Sequence, residues 1–283
     1  MDKVKILVAQ HKEYDCPSND VYMPVHVGKK ISTINLGIQG DDKGDNISEL
    51  NPFFCELTAQ YWGWKNLDCE YIGLCHYRRY FEKEITLKNI DSLMSDCDVI
   101  LSRRIYIRPS ILNFLSSALI PEDIAMFNYY MEKRFSEHLD IYLKYYNSVN
   151  ILHPANMFIC KKETFDKFAE WQFEILFDLY KLIPYSNHTR ERRLMGYFAE
   201  TLWGFYACLN NLKIKEMPLV EKLGGTDRLL QTGKKEILRW EITKWRSSTE
   251  PKHYNLDPAI HISLQNDGYY ERIDCYLKDK YNI

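Results

Sequence analysis

The sequence predicts an α/β protein followed by a helical C-terminal extension. Short apolar runs typical of buried strands alternate with amphipathic segments of helical period along most of the 283 residues. After Gly224 and Gly225, which indicate a hinge, the composition becomes basic and tryptophan interleaves with lysine and arginine. We therefore expect one domain over residues 1–222 and an extension over residues 223–283.

Composition argues against several functional classes. The formal net charge is −2 and the pI is near 6.5, which gives no reason to expect a nucleic-acid partner. No apolar run approaches the roughly 18 residues that a membrane span requires. The 8 cysteines are scattered without a CxxC pair, as in proteins of a reducing compartment. We expect a cytoplasmic protein that is soluble or peripheral at the inner face of the plasma membrane.

The first predicted strand runs over residues 4–9 and is followed at once by polar side chains. These are Gln10, His11 and Lys12. In open α/β sheets ligands bind at the carboxyl ends of strands, so this position suits a nucleotide. The glycines and acids of residues 37–48 then predict an irregular surface segment.

A helix is predicted over residues 51–66. Asn51 can cap its amino end, and Pro52 suits the first helical position. Apolar side chains then recur at helical spacing, at Phe53, Leu57, Tyr61 and Trp64. The pair Trp62 and Trp64 is expected to pack against the sheet rather than to bind sugar.

Residues 71–81 form the stretch around which the chain is organised, because an apolar strand ends there in a histidine and two arginines. Unpartnered guanidinium groups are costly to bury, so Arg78 and Arg79 should lie at the carboxyl end of the strand, facing carboxylates or a bound anion. A second predicted strand, over residues 98–104, also ends in paired arginines, Arg103 and Arg104. Two such endings favour an anionic ligand in one crevice. Pairing with surface acids and, for the second pair, a subunit interface stay open.

The remaining elements of the domain follow from periodicity and capping signals. They are a helical region over residues 109–147 that restarts at Pro121, a strand over 152–160, a helix over 164–182, a helix over about 190–211 and a strand over 213–220. Glu200 lies off the apolar stripe of the second long helix. It is either a solvated surface residue or an acid of a site.

The extension contains a basic segment between Arg228 and Lys252, in which Trp240 and Trp245 interleave with the charges. A helix of this composition could lie on an anionic membrane surface. It could also cover the domain through an apolar stripe, and we favour this packing. The stripe consists of Ile237, Leu238, Ile242 and Trp245.

Five blocks of the chain, taken together and in this order, resemble a known family. They are Asp45-Asn46-Ile47-Ser48 with Asn51, residues 56–66, residues 71–81, residues 156–159 and residues 196–200. The family is a bacterial domain of unknown function found in capsular, exopolysaccharide and O-antigen gene clusters. Some of its members are glycosyltransferases, including galactofuranosyltransferases. The resemblance covers roughly residues 4–220, so it implies nothing about the last sixty or so.

The resemblance implies a GT-A-like fold, in which a Rossmann-type mixed sheet flanked by helices holds a nucleotide-sugar at its strand ends. It also implies transfer of a hexosyl group, with galactofuranosyl as one option, from a UDP-sugar to a polysaccharide or lipid-linked acceptor. An inverting displacement is expected. The alternative is a non-catalytic module that binds a nucleotide-sugar or glycan within a polysaccharide-synthesis complex. Nucleotidyltransfer ranks last, because residues 37–44 are too acidic to cradle phosphate.

The resemblance also assigns roles to individual residues. Glu200 is the candidate base that takes the proton of the acceptor hydroxyl. The candidate donor-binding residues are Gln10, His11, Lys12, Asp45 and Asn46 for the nucleoside, His76, Arg78 and Arg79 for the diphosphate, and Asn156.

The metal motif departs from the usual GT-A pattern. Such enzymes commonly carry Asp-X-Asp at a strand end, where the carboxylates hold Mn²⁺ or Mg²⁺ on the diphosphate, whereas the matching strand here ends in His76-Tyr77-Arg78-Arg79. Arginines can neutralise a diphosphate without a metal. We therefore expect neither a conventional metal site nor a resident cofactor. A divalent cation stays open, with His261 as a single candidate ligand.

Overall fold

A computed structural model describes residues 1–17, 19–107, 109–222, 227–230, 234–249 and 256–283. Its strands are β1 (Asp2–Gln10), β2 (Tyr22–His26), β3 (Gln39–Gly40), β4 (Cys69–His76), β5 (Arg79–Phe81), β6 (Val99–Ser102), β7 (Ile105–Tyr106), β8 (Ile151–Leu152), β9 (Phe158–Lys161), β10 (Ile214–Met217), β11 (Leu219–Lys222) and β12 (Asp227–Leu229). Its helices are α1 (Asn51–Phe54), α2 (Leu57–Asn66), α3 (Ile90–Met94), α4 (Ile111–Leu115), α5 (Pro121–Arg134), α6 (Leu139–Leu143), α7 (Lys162–Leu182), α8 (Thr189–Arg192), α9 (Leu194–Leu209), α10 (Lys234–Thr249), α11 (Pro258–Asn266) and α12 (Tyr269–Tyr281). The predicted hinge, Gly224 and Gly225, lies outside the described residues.

The main sheet is mixed and runs in the order β10-β6-β9-β4-β1-β2-β3. β1 pairs in parallel with β2 and β4, and β6 with β10, whereas β9 runs antiparallel between β4 and β6. One edge of the sheet, which we call the carboxyl edge, therefore combines the ends of β1, β4 and β6 with the start of β9, at Gln10, His76, Ser102 and Phe158. β5 turns back from β4 at this edge and pairs with β11. The predicted α/β class and mixed sheet are confirmed.

Both faces of the sheet are buried. In β1, Leu7 belongs to a large core that includes side chains of α2, α7 and α9, whereas Ile6 and Val8 belong to a smaller core with side chains of α3. Strands that are buried on two faces are apolar at successive positions rather than at alternate ones. This explains why β1 and β4 could be recognised from the sequence as continuous apolar runs.

The predicted helix over residues 51–66 is broken into α1 and α2. Asn51 is the first residue of α1 rather than its cap, and Cys55 has a left-handed φ of 53° between the two helices. The Asn51 side-chain amide donates to the Cys55 carbonyl at 2.7 Å and to the Thr58 hydroxyl at 3.2 Å, which stabilises the break. As a result, Glu56 lines a cavity at the carboxyl edge.

Two other predicted elements are interrupted near the same edge. The strand predicted over residues 152–160 is β8 and β9, separated by Ala155 and Asn156 at left-handed φ values of 77° and 51°. The helix predicted near residues 190–211 is α8 and α9, which meet at Arg193. No glycine stands at any of the three breaks. The local bonds of Asn51 stabilise the first break, whereas contacts between segments far apart in the sequence stabilise the other two.

The segment over residues 37–48 is more ordered than predicted. It contains β3 and a fully buried carboxylate, Asp41. The Asp41 oxygens accept hydrogen bonds from the backbone N–H groups of Gly28 and Lys29 at 2.9 and 3.0 Å. Burial of the acid is therefore compensated by hydrogen bonding, which composition alone does not reveal.

The C-terminal part of the chain departs from prediction at two points. The strand predicted over residues 213–220 is β10 and β11, divided at Pro218, which has no backbone N–H to donate to a partner strand. The expected core stripe of α10 is exposed, at 42% for Ile237, 60% for Leu238, 42% for Ile242 and 67% for Trp245. The helix is instead anchored through Trp240, whose ring lies 4.7 Å from that of Tyr106 in β7.

A buried carboxylate joins α12 to α5 and α7. Asp178 accepts hydrogen bonds from the Tyr130 hydroxyl at 2.8 Å and from the Tyr276 hydroxyl, the Tyr281 hydroxyl and the Lys280 ammonium group at 2.6 Å each. Burial alone would raise the pKa of Asp178, but these hydrogen bonds outweigh it and the pKa is lowered. The ionised form of Asp178 therefore stabilises the packing of the C-terminal helix.

We predict that Asp178→Asn lowers the free energy of unfolding by about 2–3 kcal/mol at pH 7, because charge-assisted hydrogen bonds are lost and Lys280 loses its closest anion. Tyr281→Phe, which removes one donor, should cost about 1 kcal/mol. Urea denaturation measures both. Because the pKa of Asp178 is lower in the folded protein than in the unfolded chain, ionised Asp178 stabilises the fold fully only above the unfolded value of about 3.9. The difference from wild type should thus shrink as the pH falls below that value. A urea midpoint of Asp178→Asn that equals the wild-type value at pH 7 would contradict the stabilising role of ionised Asp178.

Candidate active site

A cavity of about 510 Å³ opens at the carboxyl edge, where the three broken elements meet. We call it the Glu200 cavity. Its polar lining includes His11 after β1, His76, Arg78 and Arg79 around the β4–β5 hairpin, Glu56 and Arg193 at two of the breaks, and Glu200 in α9. The breaks thus bring together side chains that are far apart in the sequence.

Glu200 occupies the middle of α9 and has a strongly perturbed carboxyl group. Its pKa is raised to about 7, mainly by burial and then by the negative charge of Glu56. The Ala155 backbone N–H hydrogen-bonds the carboxylate and, with the charges of Arg79 and Arg193, opposes this rise. The alternative of a solvated surface residue does not describe this environment. A carboxyl group with this pKa can accept or release a proton near neutrality.

Asn156 holds the second carboxylate of the cavity. Its side-chain amide donates to Glu56 Oε1 at 2.7 Å and to the Gly196 carbonyl at 3.2 Å. Asn156 is buried, and its left-handed backbone conformation is better tolerated by asparagine than by most residues. It therefore acts behind the cavity wall, connecting the start of α2 to α9 and fixing the position of Glu56.

Cys55 and Arg193 are in contact at the junction of two breaks. Arg193 Nε donates to Cys55 Sγ at 3.2 Å. Burial raises the pKa of the Cys55 thiol to about 11, so the sulfur stays protonated near neutrality and is a poor nucleophile. The thiol instead helps to orient the Arg193 guanidinium group, which is close enough to influence the Glu200 carboxylate.

The cationic side of the cavity comes from the β4–β5 hairpin. Tyr77 and Arg78 form its turn, with the Arg78 guanidinium 5.1 Å from the Tyr77 ring. Arg79 forms an ion pair with Glu221 at 3.8 Å. His76 Nε2 donates to the Ala155 carbonyl at 2.6 Å, which ties the hairpin to the left-handed turn. Arg78 is exposed, so its charge can meet an anion that enters the cavity.

The residues predicted after β1 have different surroundings. His11 lines the cavity with its ring edge-on to Tyr77 at 5.1 Å, and burial followed by the charges of Lys12 and Arg78 lowers its pKa. Lys12 is exposed, with its ammonium group 5.5 Å from the Tyr77 ring. Gln10 is buried at the end of β1, and its side-chain amide donates to the Tyr14 carbonyl at 3.5 Å.

Asp45 and Asn46 lie away from the cavity. The Asp45 carboxylate accepts from the Tyr61 hydroxyl at 3.2 Å, and its backbone pairs with the side chain of Asn66. Asn66 ends α2, whereas Glu56 precedes its start, and ten helical residues span about 15 Å. The structure therefore brings the side chains of five predicted residues together around the cavity, with Asn156 behind them: His11, His76, Arg78, Arg79 and Glu200. Asp45 and Asn46 lie apart from this group. All the binding roles stay predictions.

Sequence reasoning missed Glu56 and Arg193 as lining residues. Glu56 lies inside one of the family blocks, but the helical spacing predicts it within one continuous helix. No glycine marks the turn at Cys55. Arg193 had a usable signal, because it ends a charged run, Thr189 to Arg193, directly before an almost wholly apolar helix. Charges at such a junction must find solvent, partners or a ligand.

The two arginine pairs meet only in part, because Arg79 and Arg103 line the same second cavity. Arg104 is paired with Glu216 of β10. Arg103 lines a second cavity, and Arg79 and Ala155 line both cavities. The two arginine-bearing strand ends thus face neighbouring cavities at the carboxyl edge.

The acids of the Glu200 cavity do not make a metal-binding set. Across the described residues, no three His, Cys, Asp or Glu side chains are grouped so that they could hold a metal ion. His261 lies in the C-terminal helices, where its Nδ1 is 2.6 Å from the Tyr270 hydroxyl. The donor set of the Glu200 cavity therefore does not fit a resident divalent cation.

Comparison with known proteins identifies the family. A sequence model described as "Domain of unknown function (DUF4422)" matches residues 5–211. The chain belongs to the DUF4422 family. Among solved structures, the apo structure of the WbbM bifunctional glycosyltransferase is similar, with a TM-score of 0.67 and 28% identity over 80% of this chain and 46% of that chain. This member of the DUF4422 family thus spans about half the length of that structure. No curated protein matches it.

We predict that Glu56→Gln lowers the pKa of Glu200, because the substitution removes the neighbouring negative charge and keeps an oxygen that can accept from Asn156. Carbon-13 NMR of labelled glutamate carboxyl groups, titrated from pH 4 to 9, measures the change. The Glu200→Gln spectrum identifies the resonance by its absence. A Glu200 pKa that stays near 7 or rises in Glu56→Gln contradicts the coupling.

Proposed function

We propose that this chain is a glycosyltransferase of cell-surface polysaccharide synthesis that moves a hexosyl group from a UDP-sugar to a polysaccharide or lipid-linked glycan. The observation that carries the proposal is the Glu200 carboxyl group, whose pKa of about 7 suits a general base, opposite the guanidinium groups of the β4–β5 hairpin. The similarity to a structure named as a bifunctional glycosyltransferase supports the same activity. UDP-galactofuranose is the first donor that we would test.

The proposed mechanism is a single inverting displacement. The acceptor oxygen attacks the anomeric carbon while its proton passes to the Glu200 carboxylate. The bond from the anomeric carbon to the diphosphate oxygen breaks, and the electron pair leaves with UDP. Arg78 and Arg79 stabilise the negative charge that develops on the diphosphate. In this proposal the two roles belong to different elements, with the acid on α9 and the cations on the hairpin.

The donor is proposed to lie across the ends of β1 and β4. Ligands of open α/β sheets bind at carboxyl ends, and His11, Tyr77 and Arg78 line the cavity there. Gln10 and Lys12 flank this position, which suits the nucleoside. Asp45 and Asn46 are left out of the proposed donor site because Asp45 contacts Tyr61 and Asn66, and Asn46 contacts Gly44 and Ser48.

We predict that Glu200→Gln lowers the transfer rate by a factor of about 10²–10⁴ and leaves donor affinity unchanged, because only proton transfer is lost. Arg78→Ala should weaken donor binding about tenfold, since a charge-assisted contact to the diphosphate is removed. Arg272→Ala, an exposed arginine of α12, serves as the matched control. UDP release measures transfer. Thermal stabilisation by UDP-sugars, measured with EDTA present, reports binding.

Three outcomes contradict the proposal or one of its assignments. Near-normal turnover of Glu200→Gln removes Glu200 as the base. Donor binding by wild type without any hydrolysis or transfer supports the non-catalytic binding module instead. Stabilisation that requires Mn²⁺ or Mg²⁺ and disappears in EDTA contradicts the assignment of charge neutralisation to the arginines.

We further propose peripheral contact of α10 with an anionic membrane surface. Leu238, Ile242 and Trp245 are exposed on a helix that also carries Lys235 and Arg239. In the described part of the chain, no helix is both long and apolar enough to cross a bilayer. A lipid-linked acceptor would be met at such a surface.

Vesicle sedimentation tests this contact. Wild type should bind phosphatidylglycerol vesicles more tightly than phosphatidylcholine vesicles and detach in roughly 0.5 M NaCl, because salt screens the basic residues. Leu238→Ser should weaken binding severalfold by removing apolar area. Leu87→Ser, at a comparably exposed position outside α10, is the control. Equal affinity for the two lipids, or equal loss in both variants, contradicts the proposal.

A further inference from the structure

A second cavity of about 510 Å³ lies beside the Glu200 cavity. We call it the Trp240 cavity, and its principal lining residues are Arg103, Tyr106, Leu219, Glu221, Ile237 and Trp240. Strands β7 and β11 and helix α10 surround this cavity at the carboxyl edge. Trp240, Ile237, Leu219 and Glu221 lie beyond residue 211, where the DUF4422 match ends. These four lining residues are therefore not part of the family's shared segment.

The lining combines aromatic and aliphatic faces with a few charges. The rings of Trp240 and Tyr106 are 4.7 Å apart at 59°, and the Arg103 guanidinium lies 5.5 Å from the Trp240 ring. Trp240 Nε1 donates to the Arg104 carbonyl at 3.3 Å, which fixes the indole against β7. Sugar rings present C–H faces that pack on aromatic side chains, and their hydroxyls bond to arginine and glutamate. An apolar pocket with a few placed polar groups is the usual form of a small-ligand site.

The two cavities share lining residues from the left-handed turn and the hairpin. Arg79 and Ala155 contribute to both linings. The Ala155 N–H is hydrogen-bonded to the Glu200 carboxylate, and Arg79 is paired with Glu221 of the second cavity. A ligand that fills the Trp240 cavity therefore ends next to the side chains that surround Glu200.

We propose that the Trp240 cavity is the acceptor subsite and binds the terminal sugar of a glycan, with the ring against Trp240 and the reacting hydroxyl toward Glu200. This inference rests on the proposed glycosyl transfer. Because 7 of the 13 lining residues lie beyond the family match and the indole of Trp240 is among them, α10 and β11 select the acceptor in this chain, whereas the shared segment supplies the donor site and the base.

Two tryptophans of the same helix allow a matched test. Trp240→Ala removes the proposed stacking face, whereas Trp245→Ala removes an indole that is 67% exposed and lines neither cavity. The probes are n-octyl β-D-galactopyranoside and n-octyl β-D-glucopyranoside below their critical micelle concentrations, with hexaethylene glycol monooctyl ether as a sugar-free control. Isothermal titration calorimetry measures each affinity, and UDP affinity is measured in the same samples.

Wild type and Trp245→Ala should bind at least one octyl hexoside and should not bind the sugar-free ether. Trp240→Ala should lose hexoside affinity by at least tenfold and keep UDP affinity within twofold. Trp240→Phe, which retains an aromatic face and preserves the packing of α10, should keep most of the hexoside affinity. Equal unfolding midpoints of the tryptophan variants would show that loss of binding is not loss of folding.

Specific results overturn the inference. Absence of hexoside binding by wild type, equal binding of the ether, or full hexoside affinity in Trp240→Ala each removes the acceptor subsite. If Trp240→Ala and Trp240→Phe lose hexoside affinity equally, aromatic stacking is not the cause. Failure of the proposed function has a different signature, because hexosides would then bind while neither UDP nor any UDP-sugar does.

Discussion

The left-handed turn at Ala155 and Asn156 is the constraint on which the rest of the site depends. Its backbone and side chains reach three separate elements through the Glu200 carboxylate, the His76 ring and the Glu56 carboxylate. Non-glycine residues with positive φ are disfavoured, and two in succession persist only where surrounding contacts stabilise them. The turn directly precedes β9, which runs antiparallel to β4. Its contacts therefore lie at the same edge of the sheet as the carboxyl ends of β1 and β4. Ala155 of the same turn lines both cavities.

The electrostatics of the site follow from that arrangement. Two carboxylates, Glu56 and Glu200, share one cavity with the arginines of the β4–β5 hairpin and with Arg193. The like charge and burial raise the pKa of Glu200, and the arginines limit the rise. Without the cations the pKa of Glu200 would be higher, and without Glu56 it would be lower.

The sequence predicted the parts of the fold whose physical signals are local. β1 and β4 are buried on both faces, so they are continuous apolar runs, and α7 has a long amphipathic period that matches residues 162–182. Arg78 and Arg79 were predicted at a strand end because burying them is costly. The breaks at Cys55, Ala155 and Arg193 were not predictable in this way, because Asn51 bonds to Cys55 instead of capping a helix and the contacts of Asn156 and Arg193 join segments that are far apart in the sequence. The exposed stripe of α10 was mistaken for a core face because periodicity does not reveal which side of a helix finds a partner.

Among the proposed roles, that of Glu200 as the base of glycosyl transfer is the central one. The decisive measurement is the pH dependence of kcat/KM for UDP release from UDP-galactofuranose, with n-octyl β-D-galactopyranoside as acceptor. Because a base acts in its ionised form, kcat/KM should rise with pH and level off above an apparent pKa of about 7, the value set by burial and by Glu56. A profile that is flat between pH 5.5 and 8.5, or that falls through this range, would contradict the central claim.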